Sequence, residues 1–341
     1  MSDENPDGVF VISSGRCGST LLSNLLALDP AVLSLQELMI VLQQDGLGLE
    51  TVTGKRFWEL LSRPSDNVGT LLRIGVQPPE LRYEGDRRAP GYDGNAIPRL
   101  LAFALPAITD EPETLFDELS AVVPGFAEQP LPDHYRQLFA WLARRTGRTR
   151  WVERSGGSSS FAPALARMFP RARFIHLNRD IADTALSMSR HPAYQLIEIR
   201  AMFVRRCGAD PYRSPAPVLR RPVPPELRPV LPEHLTPETL ADRGNRLTNF
   251  VLMAAFMTRQ AQAALAKLPP EQVVHLRYED LVSDPHNVLT RLAVELDLPG
   301  GAAWAARAAT RVARPSPSLP PDDPRREEIN ELFGRVAGHA G

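Results

Sequence analysis

A short apolar run near the start of the chain is followed by a turn rich in glycine and serine and then by a helical pattern. Val9–Ile12 is continuous and largely β-branched, which is typical of a strand buried on both faces of a parallel sheet. Leucines then recur on a helical period between residues 19 and 28. A strand–turn–helix unit of this kind favours a fold of the α/β class.

Four more apolar runs predict strands, and helical patterns separate them. The predicted strands are residues 32–35, 150–153, 173–177 and 272–277, and the predicted helices are residues 181–190, 246–267 and 285–296. Strands that alternate with helices predict a three-layer α/β fold, in which a mainly parallel sheet is flanked by helices.

A sheet whose strands are spread over so much of the chain predicts a single domain with large insertions. We expect residues 1–341 to form that domain, with a helical insertion at 42–148 and a Pro-rich insertion at 192–243. Because proline lacks a backbone donor, we expect the second insertion to contain no interior of a regular element and to act as a lid or a mobile loop.

Charge and cysteine content argue against several classes of protein. The 39 Lys and Arg and 40 Asp and Glu give a net charge of −1, which lends no support to a nucleic-acid partner or an acidic membrane surface. Two cysteines cannot by themselves form a disulfide framework or a zinc site, and no metal site is predicted. Residues 1–8 lack a signal-peptide pattern, and the apolar run Leu100–Ile108 is too short to cross a bilayer. We therefore expect a cytoplasmic protein without stable membrane insertion.

The turn at residues 13–20 has the composition of an anion-binding loop. Backbone N–H groups at the start of a helix point toward an anion, and the helix dipole adds roughly half a positive charge there. Two glycines suit a close wrap, and Arg16, Ser19 and Thr20 add side-chain donors. The lysine of a Walker A motif is missing, which weakens a kinase or NTPase interpretation. Taken alone, the segment is explained equally well as a plain turn.

A second polar segment follows the predicted strand at 173–177. Arg179 stands beyond the carboxyl end of that strand, where α/β sheets bind ligands, and Ser187 lies two helical turns further along. The alternative for Arg179 and Asp180 is a surface ion pair, which contributes little to stability.

Together these segments resemble the donor-binding motifs of one enzyme family. Ser14–Leu22 resembles the 5′-phosphosulfate loop of sulfotransferases that use 3′-phosphoadenosine 5′-phosphosulfate (PAPS), although Gly15 and Cys17 replace the usual Pro and Ser. Arg179–Ser187 resembles the 3′-phosphate motif of that family, with Ile181 in place of Pro. The resemblance is to the bacterial and tyrosylprotein-like branch. It implies a P-loop-like sulfotransferase fold, PAPS as donor and 3′-phosphoadenosine 5′-phosphate (PAP) as product, without a metal.

A third segment, Arg277–Leu281, resembles the R-Y-E-D-L box of the same family and implies that Tyr278 lies near the nucleotide. The alternative is a strand end followed by a capping carboxylate. The donor-binding residues that the resemblance implies are Gly15, Arg16, Cys17, Gly18, Ser19, Thr20, Arg179, Ser187 and Tyr278.

The resemblance also implies the catalytic groups. Glu37 follows a Leu-Asp-Pro-Ala-Val segment that resembles the sequence before the general base of this branch, and apolar neighbours would raise its pKa. Arg154 stands where the family has a lysine near the transferring group, and Arg16 is the other implied cation. Glu37 could instead be only a helix N-terminal carboxylate, and Arg154 could instead pair with Glu153 or Asp180.

Other sulfotransferases use a histidine as the base, for which His134 and His176 are the candidates in this chain. The implied acceptor is a hydroxyl on a small molecule, a carbohydrate or a lipid, selected by the two insertions. A homodimer is left open, as is a late loop that closes over the 3′-phosphate with Arg311, Arg314 and Ser316. Two rival functions remain, namely a P-loop-like nucleotide kinase and a non-catalytic protein that binds PAP or a related nucleotide.

Overall fold

The computed structural model describes residues 8–83, 96–313, 320 and 322–338. Within this part of the chain, five strands form a parallel sheet and two short strands pair antiparallel. In chain order the strands are β1 (Val9–Ile12), β2 (Val32–Gln36), β3 (Thr51–Val52), β4 (Gln129–Pro130), β5 (Arg150–Arg154), β6 (Arg173–Asn178) and β7 (Val273–Arg277). The parallel sheet has the order β2-β5-β1-β6-β7, so the first strand of the chain is its centre. The predicted mainly parallel α/β fold is confirmed.

Fifteen α-helices are found in the described residues. They are α1 (Ser19–Leu26), α2 (Leu38–Leu42), α3 (Gly54–Ser62), α4 (Asp66–Arg73), α5 (Pro112–Val122), α6 (Leu131–Arg145), α7 (Ala162–Met168), α8 (Ile181–Ser189), α9 (Pro192–Cys207), α10 (Pro237–Asp242), α11 (Leu247–Leu265), α12 (Tyr278–Ser283), α13 (Pro285–Glu295), α14 (Gly301–Ala309) and α15 (Pro324–Gly338).

The central strand β1 is covered on both faces because alternate side chains of a strand point in opposite directions. Phe10 and Ile12 belong to a core that includes residues of α6 and α7, whereas Val9 and Val11 belong to a core that includes residues of α1, α13 and α14. The sheet therefore lies between two helical layers, as the alternation of strands and helices predicted.

The register of the sheet decides where a ligand can bind. Val11 is paired with Arg154 of β5 and with Ile175 of β6, all in parallel. The chain segments that follow these three strands therefore emerge at one edge of the sheet, which is the usual ligand-binding edge of an open α/β sheet.

The first insertion is largely helical, as predicted, but it also contains the antiparallel pair β3 and β4, which the sequence pattern did not indicate. The apolar run inside it is buried as a π-helical turn, Leu100–Ala104, and a 3₁₀ turn, Leu105–Ala107. No helix in the described part of the chain is both long enough and apolar enough to span a bilayer.

The expectation that residues 192–243 contain no regular element is wrong, because α9 runs for 16 residues from Pro192 to Cys207. A proline in the first turn of a helix needs no backbone donor, and the remaining prolines of this insertion begin only at Pro211. Helix α9 packs against α4 through a shared apolar cluster that includes Leu71 and Leu196. The role of this insertion as a lid stays a prediction.

Helix α11 matches the helix predicted at residues 246–267. Its large apolar side chains are not all core residues, because Met257 is buried whereas Phe256 is 58% exposed.

Candidate functional site

The turn between β1 and α1 has an unusual backbone conformation. Gly15, Arg16 and Gly18 have φ angles of 81°, 58° and 84°, all in the left-handed region. Successive N–H groups in such a turn form a concave surface that suits an anion. The predicted anion-binding loop therefore has the backbone shape that its composition indicated.

Position 18 requires a glycine because of the packing of a neighbouring side chain as well as because of its left-handed backbone. A Cβ atom at this position would lie 2.2 Å from the ring of Tyr278, which is closer than any real contact. The same ring lies 4.8 Å from the Arg179 guanidinium, in a cation–π arrangement. Tyr278 therefore connects the turn after β1 with the residue that follows β6.

Gly18→Ala is expected to destabilise the protein more than Gly147→Ala does. Both glycines have left-handed backbones, which cost an alanine about 1–2 kcal/mol, but a Cβ at Gly147 would meet no atom within 4 Å. The clash with Tyr278 should add about 1–3 kcal/mol to the loss at Gly18. Urea unfolding of both variants measures the difference, and equal losses would contradict the tight packing described here.

The side chain of Cys17 points away from this concave surface. It is 1% exposed, and its Sγ lies 3.0 Å from Ser14 Oγ. Burial raises the pKa of the thiol and outweighs the opposing hydrogen bond from Ser14. Cys17 therefore offers only its backbone to a ligand.

A pocket of about 250 Å³ lies at the carboxyl edge of the sheet. The predicted site residues that line it are Arg16, Gly18, Ser19, Thr20, Glu37, Arg154, Arg179 and Ser187. Gly15, Cys17 and Tyr278 are not lining residues but lie in the turn or against it. The fold thus brings together the predicted groups from four separate strand ends, those of β1, β2, β5 and β6.

Arg16 is the residue that joins the two polar segments. Its Nε donates a hydrogen bond to Ser187 Oγ at 3.1 Å, and its Nη1 forms an ion pair with Glu80 Oε1 at 2.8 Å. Glu80 also lies 3.0 Å from His191 Nε2. Burial alone would raise the pKa of Glu80, but the hydrogen bond from His191 and the charges of His191 and Arg16 outweigh it, so the pKa is lowered. Glu80 was not indicated by any local sequence pattern.

Arg179 is held inside the site rather than in a surface ion pair with Asp180. Its Nη1 donates to the backbone oxygen of Arg16 at 3.2 Å, and its Nη2 lies 3.6 Å from Asp183 Oδ2. Asp180 instead caps α8 and pairs with Arg326 of α15 at 2.8 Å. The alternative of a surface ion pair is therefore wrong, because a helix from the end of the chain supplies the partner of Asp180.

Glu37 and Arg154 form a buried ion pair at the other end of the pocket. Arg154 Nη1 donates to Glu37 Oε1, and Arg154 Nη2 donates to Gln36 Oε1 at 2.7 Å. The other carboxylate oxygen of Glu37 accepts the N–H of Gly156 at 2.8 Å. The pairing of Arg154 with Glu153 or Asp180 is thus wrong. Because neighbouring residues of a strand point to opposite faces of the sheet, the side chain of Glu153 cannot reach that of Arg154. The surroundings of Glu37 are also less apolar than its sequence neighbours suggested.

Glu153 lies on the opposite face of β5, fully buried. Its Oε1 accepts hydrogen bonds from Ser155 Oγ at 2.7 Å and from the N–H of Met39 at 3.2 Å. Its Oε2 finds no hydrogen-bond partner among the described residues. Burial raises the pKa of this carboxyl to about 7.

Glu153→Gln is expected to make stability less dependent on pH. Between about pH 4.5 and 7 an unfolded glutamate is ionised while the buried one keeps its proton, so the native protein loses stability as the pH rises. The neutral glutamine removes that loss. The free energy of unfolding of the variant relative to the native protein should therefore increase by about 1–3 kcal/mol across this window. Urea titrations at pH 4.5 and 7.5 measure it, with exposed Glu59→Gln as control, and a constant difference would contradict the expectation.

Neither histidine proposed as an alternative base lines the pocket. His134 lies on α6, where its Nε2 is 2.8 Å from the backbone oxygen of Val52. His176 lies on β6 against His275, and burial lowers its pKa to about 4. The histidine that does line the pocket is His191.

Tyr194 is a further residue that sequence patterns did not indicate. Its hydroxyl donates to the backbone oxygen of Ser14 at 3.0 Å, and a Cβ atom at Gly15 would lie 1.5 Å from that hydroxyl. Helix α9 thereby braces the turn after β1. The sequence offered no signal for this contact, because 180 residues separate its two partners.

Residues 82–213 match a family model described as the sulfotransferase family. This match confirms the predicted resemblance to the sulfotransferase family. The matched range includes Arg154, Arg179 and Ser187, whereas the turn after β1 and Glu37 precede it. The tyrosylprotein-like branch stays a prediction.

Solved sulfotransferase structures are similar to the chain at low identity. The sulfotransferase domain from the curacin biosynthetic pathway has 17% identity and a TM-score of 0.46, over 97% of this chain and 98% of that one. The sulfotransferase domain of the Synechococcus PCC 7002 olefin synthase has 17% identity and a TM-score of 0.43, over 99% and 96%. Sulfotransferase STF9 from Mycobacterium avium has 15% identity and a TM-score of 0.47, over 98% and 76%. Among curated proteins, none matches this chain.

Proposed function

We propose that the protein transfers the sulfuryl group of PAPS to an acceptor hydroxyl. The observation that carries the proposal is the 3.1 Å hydrogen bond from Arg16 to Ser187, which joins two anion-binding segments 171 residues apart. A donor with a phosphosulfate on the 5′ carbon and a phosphate on the 3′ carbon needs two neighbouring anion sites. ATP has no 3′-phosphate to occupy the second.

The residues in the pocket suit an anionic group. The carboxylate of Glu80 already lies against Arg16 and His191, in the place that an anion of the donor would take. We assign the 5′-phosphosulfate to the turn at residues 13–20 and the 3′-phosphate to Arg179 and Ser187. Tyr278 would then contact the nucleotide beside Arg179.

In the proposed reaction, Glu37 accepts the proton of the acceptor hydroxyl. The hydroxyl oxygen forms a bond to sulfur while the bond from sulfur to the bridging phosphate oxygen breaks, and PAP leaves. Arg154 and Arg16 stabilise the negative charge that develops during transfer, and the fixed positions of these groups are the main contribution of the protein. Each carboxylate oxygen has two lone pairs, so the contacts of Glu37 with Arg154 and Gly156 leave acceptor capacity toward the pocket.

Binding of PAP and of ATP separates this proposal from a kinase. A ligand at 100 times its Kd adds about 2.7 kcal/mol to the free energy of unfolding, which a thermal-shift assay detects. We expect a shift with PAP. A shift with ATP alone would overturn the proposal. Transfer of label from radioactive PAPS to an alcohol separates an enzyme from a protein that only binds the nucleotide.

Glu80→Gln is expected to tighten PAP binding. The donor must displace the Glu80 carboxylate from Arg16, whose side chain is 32% exposed, so the lost ion pair is worth up to about 1 kcal/mol, or roughly fivefold in Kd. Titration calorimetry measures the change, with Glu118→Gln as a surface control that also removes an arginine partner. Weaker binding in Glu80→Gln would show that Glu80 does not compete with the donor.

We also propose a cytoplasmic location, which the two free and buried cysteines support. A homodimer stays a prediction. Of the proposed late loop, Arg314 and Ser316 lie outside the described residues.

A further inference from the structure

The pocket has two kinds of wall. The turn after β1 and the ends of β2, β5 and β6 supply its charged side chains, together with Glu80, which lies against Arg16. The opposite walls contain the polar side chains of Ser65 and Asn67, but most of their surface is apolar. The apolar residues are Ile40 of α2, Val68 and Leu71 of α4, Phe103 of the π-helical turn and Ile197 of α9. These apolar residues come from the two insertions and from the helix that directly follows Glu37.

The apolar walls connect to the proposed base. Ile40 is three residues beyond Glu37, and its N–H donates to Ser155 Oγ at 3.1 Å. Helix α2 therefore holds an apolar side chain next to the carboxylate. An acceptor whose hydroxyl reaches Glu37 has to place the rest of its body against this side chain and its neighbours.

The polar side chains at the start of α4 are already engaged. Ser65 caps the helix by accepting the N–H of Val68, and Asn67 Oδ1 accepts a hydrogen bond from Arg200. Both oxygens already accept hydrogen bonds from protein donors, so this side of the pocket has little acceptor capacity left for further hydroxyls of an acceptor. A buried hydroxyl without a partner loses binding energy, whereas a methylene group gains it.

Resting on the proposed function, we infer that the acceptor is an alcohol with a hydrocarbon body, such as an aliphatic or alicyclic alcohol, and not a carbohydrate. One hydroxyl meets Glu37, and the remaining surface of the acceptor is buried against the apolar walls. A sugar of equal size would bury several hydroxyls there without hydrogen bonds.

Cyclohexanol and inositol provide a matched pair of probes, since both have a six-membered carbon ring and they differ in carrying one or six hydroxyls. With PAPS as donor, we expect kcat/KM for cyclohexanol to exceed that for inositol by about 100-fold or more. Calorimetry on the PAP-loaded protein should likewise show that cyclohexanol binds more tightly than inositol. Equal or better turnover or binding of inositol overturns the inference, and so does failure of cyclohexanol to bind the PAP complex. Absence of PAP binding instead overturns the proposed function itself.

A pair of variants on α9 tests whether the apolar wall that includes Ile197 binds the acceptor. Ile197→Asn should lower kcat/KM for cyclohexanol at least tenfold while the Kd of PAP stays within about twofold. Val204 lies two helical turns further along the same helix, is 53% exposed and does not line the pocket, so Val204→Asn should change neither value. A decrease of equal size in both variants, or none in Ile197→Asn, contradicts the assignment.

Discussion

Replacement of Glu37 by glutamine is expected to lower the rate of sulfuryl transfer by roughly 10²- to 10⁴-fold, the usual loss when a positioned base is removed. Glutamine has nearly the same shape, and its amide oxygen can still accept the N–H of Gly156 that now lies 2.8 Å from Glu37 Oε2. What it lacks is the capacity to take a proton. The rate with radioactive PAPS and an alcohol acceptor is the measurement.

Binding controls decide whether the lower rate comes from the loss of the base or from weaker donor binding and a damaged fold. Glu37→Gln leaves Arg154 without its carboxylate, but Gln36 Oε1 still accepts from Arg154 at 2.7 Å, so the fold should be retained. The Kd of PAP should change by less than about tenfold, and Glu59→Gln, which removes an exposed carboxylate, should leave the rate unchanged. Turnover in Glu37→Gln within threefold of the native rate would remove Glu37 as the base.

Replacement of Arg179 by alanine is expected to abolish most of the preference for nucleotides with a 3′-phosphate. A hydrogen bond to a charged group contributes about 1.5–3 kcal/mol, so PAP should bind roughly 10- to 150-fold more weakly. Adenosine 5′-phosphate, which lacks the 3′-phosphate, should bind with nearly unchanged affinity. Calorimetry with both nucleotides gives the ratio directly.

The structure offers a control for charge and one for folding. Arg277 also stands at the end of a strand, but its side chain is 68% exposed and it does not line the pocket, so Arg277→Ala should leave the ratio unchanged. Removal of Arg179 leaves Asp183 paired with Arg326 at 2.8 Å, so α8 should stay folded. Equal weakening of both nucleotides in Arg179→Ala would assign Arg179 to another part of the donor.

The strands of the sheet could be predicted from the sequence because each is a short apolar run with a turn on either side. Val9–Ile12 was predicted with its observed bounds, and the other four strands of the parallel sheet were predicted to within one residue at each end. The order of the strands could not be predicted, because it depends on which runs pair with partners that are 99 or more residues away in the sequence.

The same distinction holds for the candidate site. Motif residues such as Arg16 and Ser187 could be predicted because their neighbours in the sequence carry the pattern. The ion-pair partners of the motif residues could not be predicted. Glu80 and Arg326 reach the site from an insertion and from the last helix, and nothing next to them in the sequence indicates an ion pair. The wrong pairings for Arg154 and Asp180 have this same origin.

Helix α9 carries Tyr194, which braces the turn after β1, and Ile197, which forms part of the apolar wall, within one helical turn. A movement of the helix that enlarged the acceptor space would also withdraw the Tyr194 hydroxyl from the backbone of Ser14. Under the proposed assignment, backbone changes in α9 are therefore restricted by the binding of both donor and acceptor. Helix α4 and the π-helical turn Leu100–Ala104 carry no such contact with that turn among the described residues. Divergence toward new acceptors should accordingly accumulate in those two segments while the placement of α9 is inherited unchanged.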